Sequence, residues 1–324
     1  MTTVSYHHRV NVLQAMNFAG DGPFARFEWY ELLEEKAEKV LVAVAEKDDR
    51  KLALVFADHG QRLDSLTNWY SFSWAPHGSD AELLEDLARK LKRGRARIVM
   101  APVPDEDGAA SLLETAFRQA GWQIRREQCD HNHVLEIGGR TFEQYWASRP
   151  GRMRTTLKRK AKKVETEILA QFDADAWRAY EEIYAESWKP EEGDPVLLRR
   201  FAEEEGAAGR MRLGIARHEG MAVAAQFWTV ENGTAYIHKL AHLESMKPLS
   251  AGTTLSAALF EHVIDVDKVD LVDFGTGNDP YKRDWMEIDR PRYRIDCLNP
   301  TNPRAWPALV KRILTRLAPA SGQS

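Results

Sequence analysis

Cysteine is nearly absent: Cys129 and Cys297 are the only two in 324 residues. Two distant thiols exclude a disulfide framework and fit a reducing compartment. No apolar run approaches the roughly 18 residues that a membrane-spanning helix needs. The opening stretch Met1-Thr-Thr-Val-Ser-Tyr-His-His-Arg9 has no apolar core behind a basic region, so the expected location is the cytoplasm. A positive balance is missing too. The 45 Lys+Arg stand against 49 Asp+Glu, a net charge of −4, which argues against a general nucleic-acid binder. No His/Cys/carboxylate cluster has metal-ligand spacing, so no metal is expected. What is present is ordinary globular material, 44% hydrophobic and 29% charged, long enough for two domains of roughly 100–200 residues each.

The pattern along the chain is mixed α/β. In the first half, helical spacing is expected over Phe24–Lys39, Asp80–Arg93 and Leu112–Ala120. Strands are expected over Val40–Ala45, Leu52–Ala57, Leu66–Trp74, Arg97–Ala101, Trp122–Glu127 and His133–Ile137. Gly138-Gly139 breaks the pattern and sets the expected boundary between domains 1–138 and 139–324. In the second half helices are expected over Thr141–Val164, interrupted near Pro150-Gly151, and over Asp175–Trp188, Pro195–Glu205 and Thr253–Ile264. Strands fall at Glu167–Phe172, Arg212–Ala216, Ala222–Val230, Thr234–Ala241, Leu271–Phe274 and Arg292–Leu298. Asn232-Gly233 is a two-residue hairpin signal. The order of elements repeats between the halves, which suggests a duplicated α/β unit. The first copy has only Pro76-His-Gly-Ser79 ahead of its helix, so it is expected to have lost ligand binding.

Asn232 to Trp285 carries the strongest chemical signal. A strand feeds a small-residue loop, Ser250-Ala251-Gly252-Thr253-Thr254, and then a helix. The first turn of a helix has amides without internal partners, and its dipole favours an anion there. The following strand ends in Asp273-Phe-Gly275, with Tyr281 and Lys282 close behind. Alternation along Thr234–Ala241 puts Lys239 on a face with small apolar residues, and Asp273 is a candidate ion-pair partner.

Strands, an amide-presenting loop, a helix and a tyrosine-bearing strand end resemble the GNAT N-acyltransferase superfamily. The chain is most similar there to the CelD-like acetyltransferase branch, itself related to Fem-type aminoacyl transferases built from tandem GNAT units. The likeness rests on Arg152-Met-Arg-Thr-Thr-Leu-Lys-Arg-Lys160, on His238-Lys-Leu-Ala-His242 with Ser250-Ala-Gly-Thr-Thr-Leu255, and on Asp273-Phe-Gly275 with Tyr281-Lys282. The superfamily's usual Arg/Gln-x-x-Gly-x-Gly/Ala loop is not present in that form.

The resemblance implies two GNAT-like units, each a mixed, mostly antiparallel sheet flanked by helices, the first degenerate. It implies an acyl-CoA donor seated on residues 250–254. It also implies direct acyl transfer to an amine of an envelope-related acceptor such as an amino sugar, a lipid amine or an amino acid. His238 or Asp273 is then the candidate base, Tyr281 the candidate acid and Lys282 a charge stabiliser. The alternatives are a Fem-type aminoacyl transferase and an inactive binding or membrane-associated protein that keeps the fold.

Arg149 to Lys163 carries eight basic residues and no acid. Arg152, Arg154 and Lys158 are candidates for binding an anionic acceptor, CoA phosphates or a lipid headgroup layer. Trp69 and Tyr70, in the aromatic run Asn68–Trp74, are candidates for lining an acceptor groove. Trp306, Leu309, Val310, Ile313, Leu314 and Leu317 recur at helical spacing beside Arg304, Lys311, Arg312 and Arg316. That pattern suits a terminal helix docked on its own protein, with peripheral membrane contact as the alternative.

Overall fold

The structure, a computed structural model, describes residues 1–20 and 22–317, without the side chains of Arg316 and Leu317. The chain divides into two compact units. One holds Met1–Asp130 and the chain from Pro291 onward; the other holds His131–Arg290. The division falls inside strands, not at Gly138-Gly139, and the C-terminal segment groups with the first unit.

In chain order the first unit contains β1 (Thr3–His7), α1 (Asn11–Ala15), α2 (Phe27–Glu34), β2 (Val40–Lys47), β3 (Arg50–His59) and β4 (Arg62–Ser65). It continues with α3 (Ala81–Lys92), β5 (Arg97–Val103) and α4 (Ala109–Gln119). β6 (Gln123–Glu136) carries the chain into the second unit. There follow α5 (Phe142–Ala147), α6 (Gly151–Lys160), β7 (Glu165–Leu169), α7 (Ala174–Ala185) and α8 (Pro195–Ala207). Next come β8 (Met211–His218), β9 (Met221–Glu231), β10 (Thr234–His242), α9 (Ala251–Glu261), β11 (Leu271–Thr276) and α10 (Lys282–Trp285). β12 (Ile288–Leu298) returns the chain to the first unit, which ends in α11 (Trp306–Leu317).

The duplication is visible in the pairing. In the first unit the order is β1-β2-β3-β4-β5-β12, antiparallel except for the parallel pair β4/β5. In the second it is β7-β8-β9-β10-β11-β6, antiparallel except for the parallel pair β10/β11. A helix joins the parallel strands in each, α3 in one and α9 in the other. Each sheet takes its sixth strand from the segment that chain order would give to the other copy.

The second unit's sheet has helices on both faces. Trp228 of β9 meets Phe260 of α9, while its neighbour Phe227 meets Trp177 of α7, as the two-residue period of a strand requires. Gly214 of β8 allows the close approach of α9: a Cβ there would lie 2.8 Å from Leu259 Cδ1. The β9–β10 turn places both Asn232 (φ 48°) and Gly233 (φ 72°) in left-handed backbone, as a primed two-residue turn demands.

Four expectations change. The strands expected at Trp122–Glu127 and His133–Ile137 are one continuous strand, β6. Leu66–Trp74 is not a strand; β4 stops at Ser65. The first long helix is shorter, with a 3₁₀ turn at Pro23–Ala25 before α2. β7 begins at Glu165, earlier than the spacing suggests. α11 docks as expected, with Ala308 and Leu309 against Ala96, Leu298 and Ala305, and Arg312 paired to Asp296 at 2.9 Å. It also leaves Trp306, Val310, Ile313 and Leu314 exposed.

Candidate active site

The site forms where two parallel strands part. β10 and β11 pair only from Thr234↔Leu271 to Tyr236↔Asp273; β10 then runs on to His242 and β11 to Thr276. A bulge in β10, at the register shift between Ile237 and Lys239, accompanies the parting. The chain leaving β10 passes through a 3₁₀ segment, Glu244–Leu249, and enters α9 at Ser250.

Ser250 is unusual at a helix start. It takes left-handed backbone (φ 54°, ψ 38°) and its hydroxyl caps no helix amide. Instead it accepts from Lys160 Nζ at 3.0 Å. The Gln226 amide of β9 holds the first turn of α9 in place, donating to Gly252 O at 3.2 Å and Ser256 Oγ at 2.7 Å. A cavity of about 580 Å³ opens here, bounded by Ser250, Ala251, Gly252 and Thr253 on one side and by Trp188, His242 and Tyr281 on others. Lys247 lines it too. The corresponding helix of the first unit differs. Asp80 Oδ1 accepts from the Leu83 amide at 2.9 Å, and Asp80 also takes Arg50 Nη1 at 2.6 Å. A fixed carboxylate therefore occupies the start of α3, while α9 presents bare amides to a cavity.

Burial sets the charge states around the cavity. It pushes the Tyr281 phenol well above its usual range, with the nearby Asp279 charge adding to the effect. It lowers the His242 pKa against the smaller pull of Glu244, 3.5 Å away. His242 stacks on Trp188, ring centroids 4.3 Å apart. The site therefore offers a neutral imidazole, a protonated phenol and a helix N-terminus in one cavity.

The structure separates the other candidates. Thr254 lies in the first turn of α9, its hydroxyl bonded to Ser250 O. His238 faces the α7–α8 side, its Nε2 2.8 Å from Thr229 Oγ1 and its ring against Phe227 and Phe201. Asp273 is buried away from the cavity lining and accepts from Asn132 Nδ2 at 3.0 Å and the Gly275 amide at 2.7 Å. Lys282 is buried, and its ammonium braces the end of β11, donating to the carbonyls of Phe274, Gly275 and Thr276. Lys239 does not meet Asp273; its ammonium lies 2.7 Å from Glu192 and over the Tyr184 ring. Arg152 pairs with Asp284, while Arg154 and Lys158 are exposed on α6. Trp69 is exposed and Tyr70 buried in the first unit, neither at this cavity. The strand alternation shows His242 at the end of β10 but not its company. Trp188 and Gln226 carry no motif at all and are found only by folding the chain.

Among the described residues, no group of three or more His, Cys, Asp and Glu is placed to hold a metal, and no helix is long and apolar enough to cross a membrane.

Residues 151–283 match the family described as an acetyltransferase (GNAT) domain. The chain matches no curated protein by sequence. Its fold is similar to that of FemX at 12% identity, with a TM-score of 0.65 over 97% of this chain and 99% of that one. It is similar to L-PGS from Bacillus licheniformis at 14% identity (TM-score 0.53; 85% of this chain, 89% of that one). It is also similar to a tandem GNAT protein from the clavulanic acid biosynthesis pathway at 12% identity (TM-score 0.52; 93% of this chain, 100% of that one). The fold is thus a mixed α/β, GNAT-type one in which the acetyltransferase domain match falls in the second unit.

Proposed function

We propose that the second unit is an acyl-CoA-dependent N-acyltransferase and that the first is a degenerate copy without a donor site. The observation that carries this is the uncapped start of α9 facing a cavity that also holds His242 and Tyr281. Amides at a helix N-terminus hold a pyrophosphate by hydrogen bonds and dipole together. Lys160 and Lys247 add positive charge beside them, which gives the basic helix α6 a role toward the donor's phosphates. The parted strands β10 and β11 leave backbone groups between them for the donor's amide-bearing arm.

Transfer is direct. The acceptor's neutral nitrogen bonds to the thioester carbonyl carbon, the C–S bond breaks, His242 takes the amine proton and Tyr281 protonates the departing sulfur. His242 assumes the base role because it lines the cavity, whereas His238 and Asp273 do not. The acceptor is an amine; the resemblance extends its class to an envelope-related amino sugar, lipid or amino acid, a range that the lining of a second cavity narrows.

Calorimetric titration of acetyl-CoA and longer acyl-CoA esters tests the donor site. A Cβ on Gly252 would sit 3.4 Å from His242 Nδ1, so Gly252→Trp projects its ring into the cavity. Affinity should fall roughly tenfold or more, at least about 1.4 kcal/mol. Equal binding by the variant, or no binding of any CoA ester by the wild type, refutes the reading. Salt-sensitive binding of charged tRNA instead would favour the Fem-type alternative, and absence of both donors a binding-only protein.

A further inference from the structure

On the α7 face of the second unit lies another cavity, of about 440 Å³, that the donor site leaves unused. Its walls are aromatic: Trp177, Tyr180 and Tyr184 line it, the first two with ring centroids 4.7 Å apart. Its charged lining is three carboxylates, Glu181, Glu191 and Glu192, and one ammonium, Lys189. Two acids are fixed in place. Glu181 accepts from Trp177 Nε1 at 2.9 Å, and Glu192 takes Lys239 Nζ at 2.7 Å.

The two cavities adjoin through consecutive residues. Trp188 lines the donor cavity and Lys189 lines the second, with its ammonium 5.9 Å from the centre of the Tyr281 ring. Lys239, which Glu192 holds, follows the bulge at which β10 departs from β11. Glu192 therefore links the wall of the aromatic cavity to β10 next to the bulge, on the sheet face opposite α9.

We infer that this cavity seats the acceptor, and that the acceptor is a primary amine on an apolar body the size of an aromatic ring, with no carboxylate beside the amine. The inference rests on the donor-site reading above. Three aromatic rings supply area for a flat apolar body and attract an approaching cation by their faces. The acidic lining draws an ammonium in and opposes a carboxylate. Beside Tyr281 the sign reverses. The Lys189 ammonium there opposes a second positive charge. An amine arriving as a cation therefore releases its proton to solvent before its neutral form attacks the thioester.

Calorimetry of the full chain with 2-phenylethylamine, phenylalanine and phenylacetate, each without donor, reads the cavity directly. The amine should bind, the amino acid roughly tenfold more weakly, and the acid not at all. Ala185→Trp adds a ring from an exposed position on the cavity wall and should abolish amine binding while leaving CoA-ester binding unchanged. Failure of the amine to bind, equal binding of all three probes, or undiminished binding in Ala185→Trp overturns the acceptor assignment. Titration of acetyl-CoA on the same protein keeps the two readings apart. Donor binding without amine binding sinks only this inference, and amine binding without donor binding sinks the donor site.

Discussion

Lys160, the last residue of the basic helix α6, places its ammonium 3.0 Å from the hydroxyl of Ser250, the residue that opens α9. The pair ties a positive side chain to a helix start that no side chain caps. A hydroxyl held in this way turns away from the helix amides and leaves them to a ligand. The contact brings one charge of the basic run to the proposed phosphate position, while Arg152 of the same run pairs with Asp284, which also lines the cavity.

Removing that charge should therefore weaken the donor and spare the chemistry. Lys160→Ala is expected to raise KM for the acyl-CoA roughly tenfold with kcat within about twofold, the signature of lost uniform binding. The effect should shrink with added salt, because a shorter screening length weakens the attraction between partly exposed charges. A fall in kcat at unchanged KM would place Lys160 outside the donor site. Arg154→Ala, on an exposed face of the same helix, serves as the control.

The pH dependence follows from the two burial-driven shifts. His242 must be neutral to accept the amine proton, and burial lowers its pKa below the ordinary 6.5. The limb of kcat/KM that it controls therefore falls only as pH drops through that lowered value. Tyr281 must be protonated, and burial raises its pKa above the ordinary 10.0, so it imposes no alkaline limb below that pH. His242→Gln should erase the acid limb, and Tyr281→Phe should lower kcat by roughly 100-fold without changing donor affinity. An acid limb that survives in His242→Gln would assign the base elsewhere. The rate should be measured with acceptor saturating, so that its own ionisation does not shape the profile.

Much of the fold is legible in the chain because its signals are local. Asn232-Gly233 makes its turn with left-handed residues where expected, since few other residue types adopt that backbone cheaply. The small residues Ser250–Thr254 mark the start of α9, where the proposed anion site lies, although they form its first turn and not a loop ahead of it. The misread stretch, Leu66–Trp74, has the aromatic content of a strand, but Asn68 Oδ1 accepts from the Tyr70 amide and from Ser71 Oγ and bends the chain into a turn. The sixth-strand arrangement is invisible because the local pattern splits β6 into Trp122–Glu127 and His133–Ile137, and nothing local shows that β6 and β12 each run through both units. Spacing alone ranks the neighbouring His238 and His242 equally. Only the fold shows which one reaches the cavity.

The bulge in β10 accounts for the remaining error, over Lys239, and gives a test of its own. Strict alternation would put Lys239 on the face of Ala235 and Ile237, in the core beneath α9. The extra residue at His238 changes the parity, and Lys239 emerges on the α7 side, against Glu192 and Tyr184. Burial lowers its pKa, and the Glu192 hydrogen bond offsets part of that shift. Removing one member of such a pair leaves the other's charge poorly compensated, whereas replacing both with apolar groups removes the desolvation cost as well. Lys239→Met should therefore destabilise the protein by about 3 kcal/mol in urea denaturation, and Lys239→Met with Glu192→Leu should recover most of that loss. Additive losses in the double variant would show that the two side chains stabilise the fold independently. That outcome would also remove the Glu192–Lys239 link as the support holding the aromatic cavity against the parted strands.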